Sequence, residues 1–162
     1  MPKPKPTLEE INASLIYDPH TGYFYRRKTL DRVVTAISLD DGYYRISVKG
    51  RQYLAHVLAM TISNGHWPEF QVDHANGDRG DNRLANLRLC TISENRWNSR
   101  IRKRNTSGRK GVTWDKSRGL WMAQIMAHRK KENLGRFKTV DEAHAAYCEA
   151  AKRLHGEFAR FE

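Results

Sequence analysis

Cysteine is nearly absent from this chain of 162 residues: only Cys90 and Cys148 occur. Two are too few for a disulfide framework or a four-cysteine zinc site. Both read as small buried hydrophobes. No apolar run approaches the ~18 residues of a membrane span. The opening Met1-Pro2-Lys3-Pro4-Lys5-Pro6 lacks the apolar centre of a secretory signal. The expectation is a cytoplasmic protein, not secreted and without a membrane partner. Acidic side chains are scarce too. Asp plus Glu number 18 against 29 Lys plus Arg, which leaves a formal charge of +11. That excess points to a polyanion, nucleic acid before others. The length allows one medium domain or two small ones and excludes a large multidomain enzyme.

One stretch is purely basic. Arg96, Arg100, Arg102, Lys103, Arg104, Arg109 and Lys110 follow one another with no acid between. Asn105-Thr106-Ser107-Gly108 lies within it and cannot bury a core. Residues 101–108 therefore read as a linker that also touches phosphate.

Upstream, Thr7-Leu8-Glu9-Glu10 fits a helix-opening capping box. Leu8, Ile11, Leu15 and Ile16 follow at helical spacing. Asp18 to Gly22 is turn chemistry, and Tyr23 to Tyr25 reads as a strand. From Gly42 to Val48 the pattern alternates, with Tyr44, Ile46 and Val48 on one face and Tyr43, Arg45 and Lys49 on the other. Lys49-Gly50 then turns into Arg51 to Leu54, a hairpin. Leu54, Val57, Leu58, Thr61 and Ile62 predict a helix stopping near Asn64-Gly65. Residues 71–92 are dense in Asp, Asn and Arg. Val72, Leu84, Leu87 and Leu89 are the expected buried anchors there, on strands around Val72–His74 and Leu87–Leu89. Ser93 is expected to cap a following helix.

After the linker come three strand-like runs: Gly111–Trp114, Trp121–Ala127 and Leu134–Phe137. The second places Trp121, Ala123, Ile125 and Ala127 on one face. Thr139-Val140-Asp141-Glu142 is another capping box. Ala143, Ala146, Tyr147, Ala150 and Leu154 then form the small-residue face of a helix ending at Gly156.

The chemistry-bearing residues lie in the middle. A phosphodiesterase must deprotonate a water, stabilise an oxyanion and neutralise a leaving oxygen. Carboxylate and amide oxygens that hold a hard divalent cation serve the last two needs. A histidine titrating near neutrality serves the first. Asp73 and His74 are adjacent, and on a strand they point to opposite sides.

Asp73-His74, then Asn86 twelve residues on, then Asn95 nine further, resembles the HNH endonuclease motif. The phage and intron-encoded homing endonucleases, with asparagine at the final position, are the more specific likeness. Tyr17 to Gly22, Gly42 to Ile46, Tyr53 to Ala59 and Gly65 to Pro68 resemble the N-terminal region of the same enzymes. The resemblance implies a ββα-metal fold clasping one divalent ion. It implies His74 as general base, Asp73 and Asn95 as metal ligands, and Asn86 as the asparagine that orients the histidine ring and braces the loop. Asparagine at position 95 turns the implied ion toward Mg²⁺ or Mn²⁺ and away from Zn²⁺. His56 also matches a family histidine, and packing or a phosphate contact suits it better than catalysis. A phage-encoded member would work in the host cytoplasm.

Lys110-Gly111-Val112, Trp121 to Ile125, Leu134 to Thr139 and Asp141 to Tyr147 resemble the Apetala-two, or ethylene-response-factor, DNA-binding domain. That fold lays a three-stranded sheet in the major groove with a helix behind it. Lys110, Thr113, Lys116 and Gln124 match or adjoin its contact positions, and Gln124 could read adenine. Thr113 and Met126 replace arginines of the plant pattern, so the plant target sequence does not transfer.

The expected fold is α+β: an HNH domain over residues 1–100, a linker over 101–108, and a sheet-plus-helix module over 109–162. The expected partner is double-stranded DNA, bound by a monomer. Arg45, Lys49, Arg51, Arg83, Arg96, Arg100, Arg102, Lys103, Arg104, Lys110, Thr113, Lys116 and Gln124 are the expected contacts. A regulator on an inactive nuclease scaffold and an RNA-binding protein are the alternative readings.

Overall fold

The computed structural model describes residues 4–32, 36–37, 41–101 and 104–162, with backbone alone at 36–37. The chain divides into two compact units, Met1–Cys90 and Thr91–Glu162. Each mixes short helices with small antiparallel sheets, an α+β architecture.

The first unit opens with α1, Leu8–Ser14, and the capping box is formed on both sides by Thr7 and Glu10. The helix stops one turn sooner than its apolar spacing suggests. Leu15 and Ile16 belong to β1, Leu15–Tyr17, which pairs with β2, Phe24–Arg26. Ile16 and Tyr17 favour extended backbone, and the Asp18 turn that follows folds the chain back as a hairpin.

β3 (Ala36–Ile37), β4 (Tyr44–Val48) and β5 (Arg51–Leu54) form a three-stranded sheet in that order. The β4–β5 turn has positive φ at both Lys49 and Gly50, the backbone a tight two-residue hairpin needs. α2, Ala55–Asn64, ends at left-handed Gly65, whose N–H bonds the Thr61 carbonyl. β6 (Gln71–His74) and β7 (Leu87–Cys90) then form a two-stranded ladder, with a 3₁₀ turn over Leu84–Asn86 before β7. Ile11, Leu15, Phe24, Ile46, Val48, Leu58, Val72 and Leu87 share one core. Leu89 does not join it and is 41% exposed. Alternation along a strand assigns a face, but not how far the core extends beneath it.

The second unit opens with α3, Ile92–Trp97. Its cap is Thr91, paired with Glu94 in a capping box, and not Ser93. Thr91 has Glu94 three positions on, which is the reciprocal spacing; Ser93 has Arg96 there. β8 (Val112–Asp115), β9 (Leu120–Ala127) and β10 (Lys130–Phe137) form an antiparallel sheet with β9 central. β10 is twice as long as expected because Lys130-Lys131-Glu132-Asn133 pairs with β9 across a two-residue turn at His128-Arg129. An edge strand can be polar throughout, so no apolar alternation marked it. α4, Val140–His155, is capped by Thr139 and Glu142 as the sequence indicates. Ala143, Tyr147, Ala150 and Ala151 meet Val112, Ala123 and Ile125 in the core. Gly111 has φ +74, and a Cβ there would overlap the Tyr147 ring. Small residues thus let helix and sheet lie close. Among the described residues, no helix is long and apolar enough to cross a membrane.

Candidate functional site

The β6–β7 ladder sets Asp73 opposite Arg88 and His74 opposite Leu87. Strand alternation sends the Asp73 and His74 side chains to opposite faces. On one face, Arg88 donates to Asp73 Oδ2 from Nε (3.1 Å) and Nη2 (3.0 Å). Both side chains of this pair are largely buried. On the other face, the His74 ring is 3% exposed, and its Nε2 lies 3.2 Å from Asn82 Oδ1. An amide oxygen at Nε2 puts the ring proton there, which leaves the basic lone pair of the neutral ring on Nδ1. Burial pushes the His74 pKa down, opposed by the Asn82 hydrogen bond and by Asp73, Asp78 and Asp81. The ring is therefore neutral at pH 7, as a proton acceptor must be.

Two further rings line His74. His56 meets it edge-on at 4.8 Å, and Tyr43 lies 5.0 Å from His56 and 6.0 Å from His74. The Arg79 guanidinium covers the Tyr43 ring at 4.6 Å. His56 is itself buried, on the first turn of α2.

The loop between β6 and the 3₁₀ turn explains the density of Asp and Asn. Asn76 Oδ1 accepts from the Asp78 N–H and Asp78 Oδ1 from the Gly80 N–H, successive Asx turns. Asn86 spans the loop: its Oδ1 accepts from the Asn76 N–H (3.0 Å) and its Nδ2 donates to the Asp81 carbonyl (2.8 Å). Asn82 thus accepts a hydrogen bond from the His74 ring, while the Asn86 side chain holds the loop. Asn82 is fixed in turn. The buried Tyr17 hydroxyl donates to its carbonyl at 2.8 Å. Leu84 N–H bonds the Pro19 carbonyl at 3.0 Å. Gly22 at φ +74 packs so closely that a Cβ would sit 2.6 Å from Arg83 N. The upstream Asp18-to-Gly22 turn is the cradle of residues 82–84.

Sequence reasoning passed over Arg88, Tyr43 and Tyr17, and took Asn82 as a structural or phosphate-contact residue of the loop without its bond to His74. Arg88 had a readable signal, because pairing Val72–His74 with Leu87–Leu89 sets opposite charges across the ladder. The others depend on loop closure, which spacing does not encode.

The remaining first-unit residues expected on DNA are occupied by partners inside the unit. Arg45 forks onto Asp41, Lys49 pairs with Glu10, and Arg51 donates to the Pro4 carbonyl. Arg83 forks onto Asp81, at 2.8 and 2.6 Å, which lowers the Asp81 pKa to about 2. Its guanidinium stays half exposed.

In the second unit, Asn95 lies on α3 and is half buried; Arg96, Arg100, Arg104, Thr113 and Lys116 are exposed. Gln124 is half buried, with its amide on the Met122 sulfur. Lys110 turns inward: its ammonium donates to the Trp97 (2.5 Å) and Ser99 (2.7 Å) carbonyls, and burial lowers its pKa to about 8. Arg102 and Lys103 lie outside the described residues. Among the described residues, no group of three or more His, Cys, Asp or Glu gathers to hold a metal.

Comparison with known proteins adds four findings. A family model described as HNH endonuclease matches residues 53–97, from β5 through α3. A second, described as AP2 domain, matches residues 107–157. Protein 3.8 of Escherichia phage T7 is 37% identical over 107 residues, 65% of this chain and 88% of that protein. Among solved structures, one described as DNA binding and cleavage by the HNH homing endonuclease I-HmuI is similar at 25% identity and a TM-score of 0.44. The similarity covers 56% of this chain and 53% of that one, so the chain spans about half the length of the solved enzyme.

Proposed function

This chain belongs to the HNH endonuclease family and carries an AP2 domain after the nuclease motif, and from that premise we propose that it hydrolyses phosphodiester bonds in duplex DNA. The observation that carries the reading is the His74 ring, buried and held at Nε2 by Asn82, next to Asp73 at the end of β6.

His74 takes the proton from the attacking water. Asn82 fixes the tautomer that leaves a lone pair for this transfer, and Asn86 keeps the loop around it closed. Tyr43 and His56 wall the ring from bulk solvent. Asp73 and Asn95 would hold the ion through a carboxylate and an amide oxygen, hard donors that suit Mg²⁺ or Mn²⁺. When bound, such an ion supplies the positive charge that the crowded phosphate and the departing 3′ oxygen require. The products are a 5′ phosphate and a 3′ hydroxyl. One site per chain gives a nick from a monomer on DNA. The exposed arginines near α3 and the β8–β10 sheet supply duplex affinity.

The Asp73–Arg88 ion pair favours one other reading, a DNA-binding regulator on an inactive scaffold. There the carboxylate is a structural partner of Arg88 and holds no ion. Supercoiled plasmid separates the two readings. Wild type should relax it with Mg²⁺ or Mn²⁺ and not with EDTA, while His74→Ala falls by ~10²–10⁴, the usual weight of a general base. Plasmid binding without metal-dependent relaxation would select the regulator.

A further inference from the structure

Helix α3 has little of its own to hold it. It spans six residues, none of them buried, and Ile92 is 58% exposed. Helices this short are not stable alone. Its last turn, however, is built into the second unit. The Trp97 ring lies flat on the His155 ring, 4.3 Å between centroids and 9° between planes. The His128 ring stands edge-on to Trp97 at 6.3 Å. His155, at the end of α4, is 5% exposed, and its Nε2 donates to the Met126 carbonyl on the central strand β9 (2.9 Å). Lys110, just ahead of β8, donates to the carbonyls of Trp97 and Ser99 and so satisfies the open end of the helix. The same strands carry Thr113 and Gln124, two positions expected to face DNA.

We propose that Trp97 and His155 are positioning residues for Asn95: the Trp97–His155 stack and its bond to the Met126 carbonyl fasten the helix that carries Asn95 to the DNA-binding sheet. The catalytic consequence rests on the nuclease reading above. Seating the sheet on duplex DNA then also seats the helix bearing a metal ligand, which ties cleavage to recognition. The basic stretch from Arg100 to Arg104 is then no divide between cutter and reader, since α3 ahead of it already moves with the sheet.

Amide hydrogen exchange on the full-length, metal-free chain tests the fastening without any appeal to activity. Trp97→Ala should speed exchange across residues 92–98 by about two- to tenfold, the weight of one aromatic pair. Amides of β9 and α4 should stay protected, and Trp97→Phe should restore the wild-type pattern. Should Trp97→Ala also release β9 and α4, Trp97→Leu, which keeps apolar volume without the stack, takes its place. Unchanged exchange at 92–98 in a folded variant overturns the proposal. In nicking assays the same variants should lower kcat and raise the Mg²⁺ concentration needed, with KM for duplex DNA unchanged and Phe again restoring both. Nicking and Mg²⁺ dependence equal to wild type overturn the catalytic role of the stack. A wild type that binds duplex DNA and does not nick it sinks the nuclease reading, and one that nicks with no divalent ion at all sinks the metal-ligand role of Asn95; in either case the exchange result still decides the fastening.

Discussion

A histidine at 4% exposure whose Nδ1 has no hydrogen-bond partner among the described residues resists charge, and burial lowers the His56 pKa from 6.5 to about 3. Such a ring takes up a proton far more readily once the chain unfolds. Its contribution is therefore intact above pH 6.5 and is lost as pH falls toward 3, by up to about 1.4 kcal/mol per pH unit. Denaturation against pH should show this slope, and His56→Gln should flatten it. Proton NMR should find the His56 ring neutral down to pH 5.

Asp73 poses the opposite problem, a buried carboxylate. Arg88→Ala removes its guanidinium and should cost about 3 kcal/mol in urea denaturation. If Asp73 also holds an ion, Mg²⁺ should recover part of that loss in the variant and little in wild type. The residues at these positions were readable in kind. His74, Asp73 and Asn86 stood out by type and spacing; the hydrogen bond that His74 donates to Asn82 did not, because it arises from how Tyr17 and Gly22 fold the loop back.

Among elements, those bounded by local chemistry were legible. Thr7 with Glu10 and Thr139 with Glu142 marked two helix starts, and Lys49-Gly50 marked a hairpin. Elements defined by partners were not. The first half of β10 is a strand only because β9 lies beside it, and α1 ends at Ser14 because β2 claims the next residues. The helix-on-sheet contact gives its own test. Gly111→Ala forces a Cβ against the Tyr147 ring at a positive φ, and should cost about 2–4 kcal/mol from overpacking and backbone strain together. Thermal melting of the full chain, followed by tryptophan fluorescence, would read it; three of the four tryptophans lie in the second unit.

Across the molecule, the +11 charge is shared between residues engaged within the fold and residues open to solvent. Arg45, Arg88 and Lys110 bond within the fold, while Arg96, Arg100, Arg104 and Lys116 face solvent, where the proposed phosphate contacts would fall. With ~6–10 phosphate contacts, duplex affinity should fall roughly 10³–10⁵-fold between 50 and 200 mM salt, measurable by fluorescence anisotropy. Glutamine at Arg100 and Arg104 together should make that slope shallower. The central claim is that His74 acts as general base in a DNA-cutting site. Single-turnover nicking of a labelled duplex with Mg²⁺ at saturating protein, wild type against His74→Ala, addresses it most directly. The expected result is a rate ratio of ~10²–10⁴ with duplex binding unchanged; equal rates would contradict the role of His74.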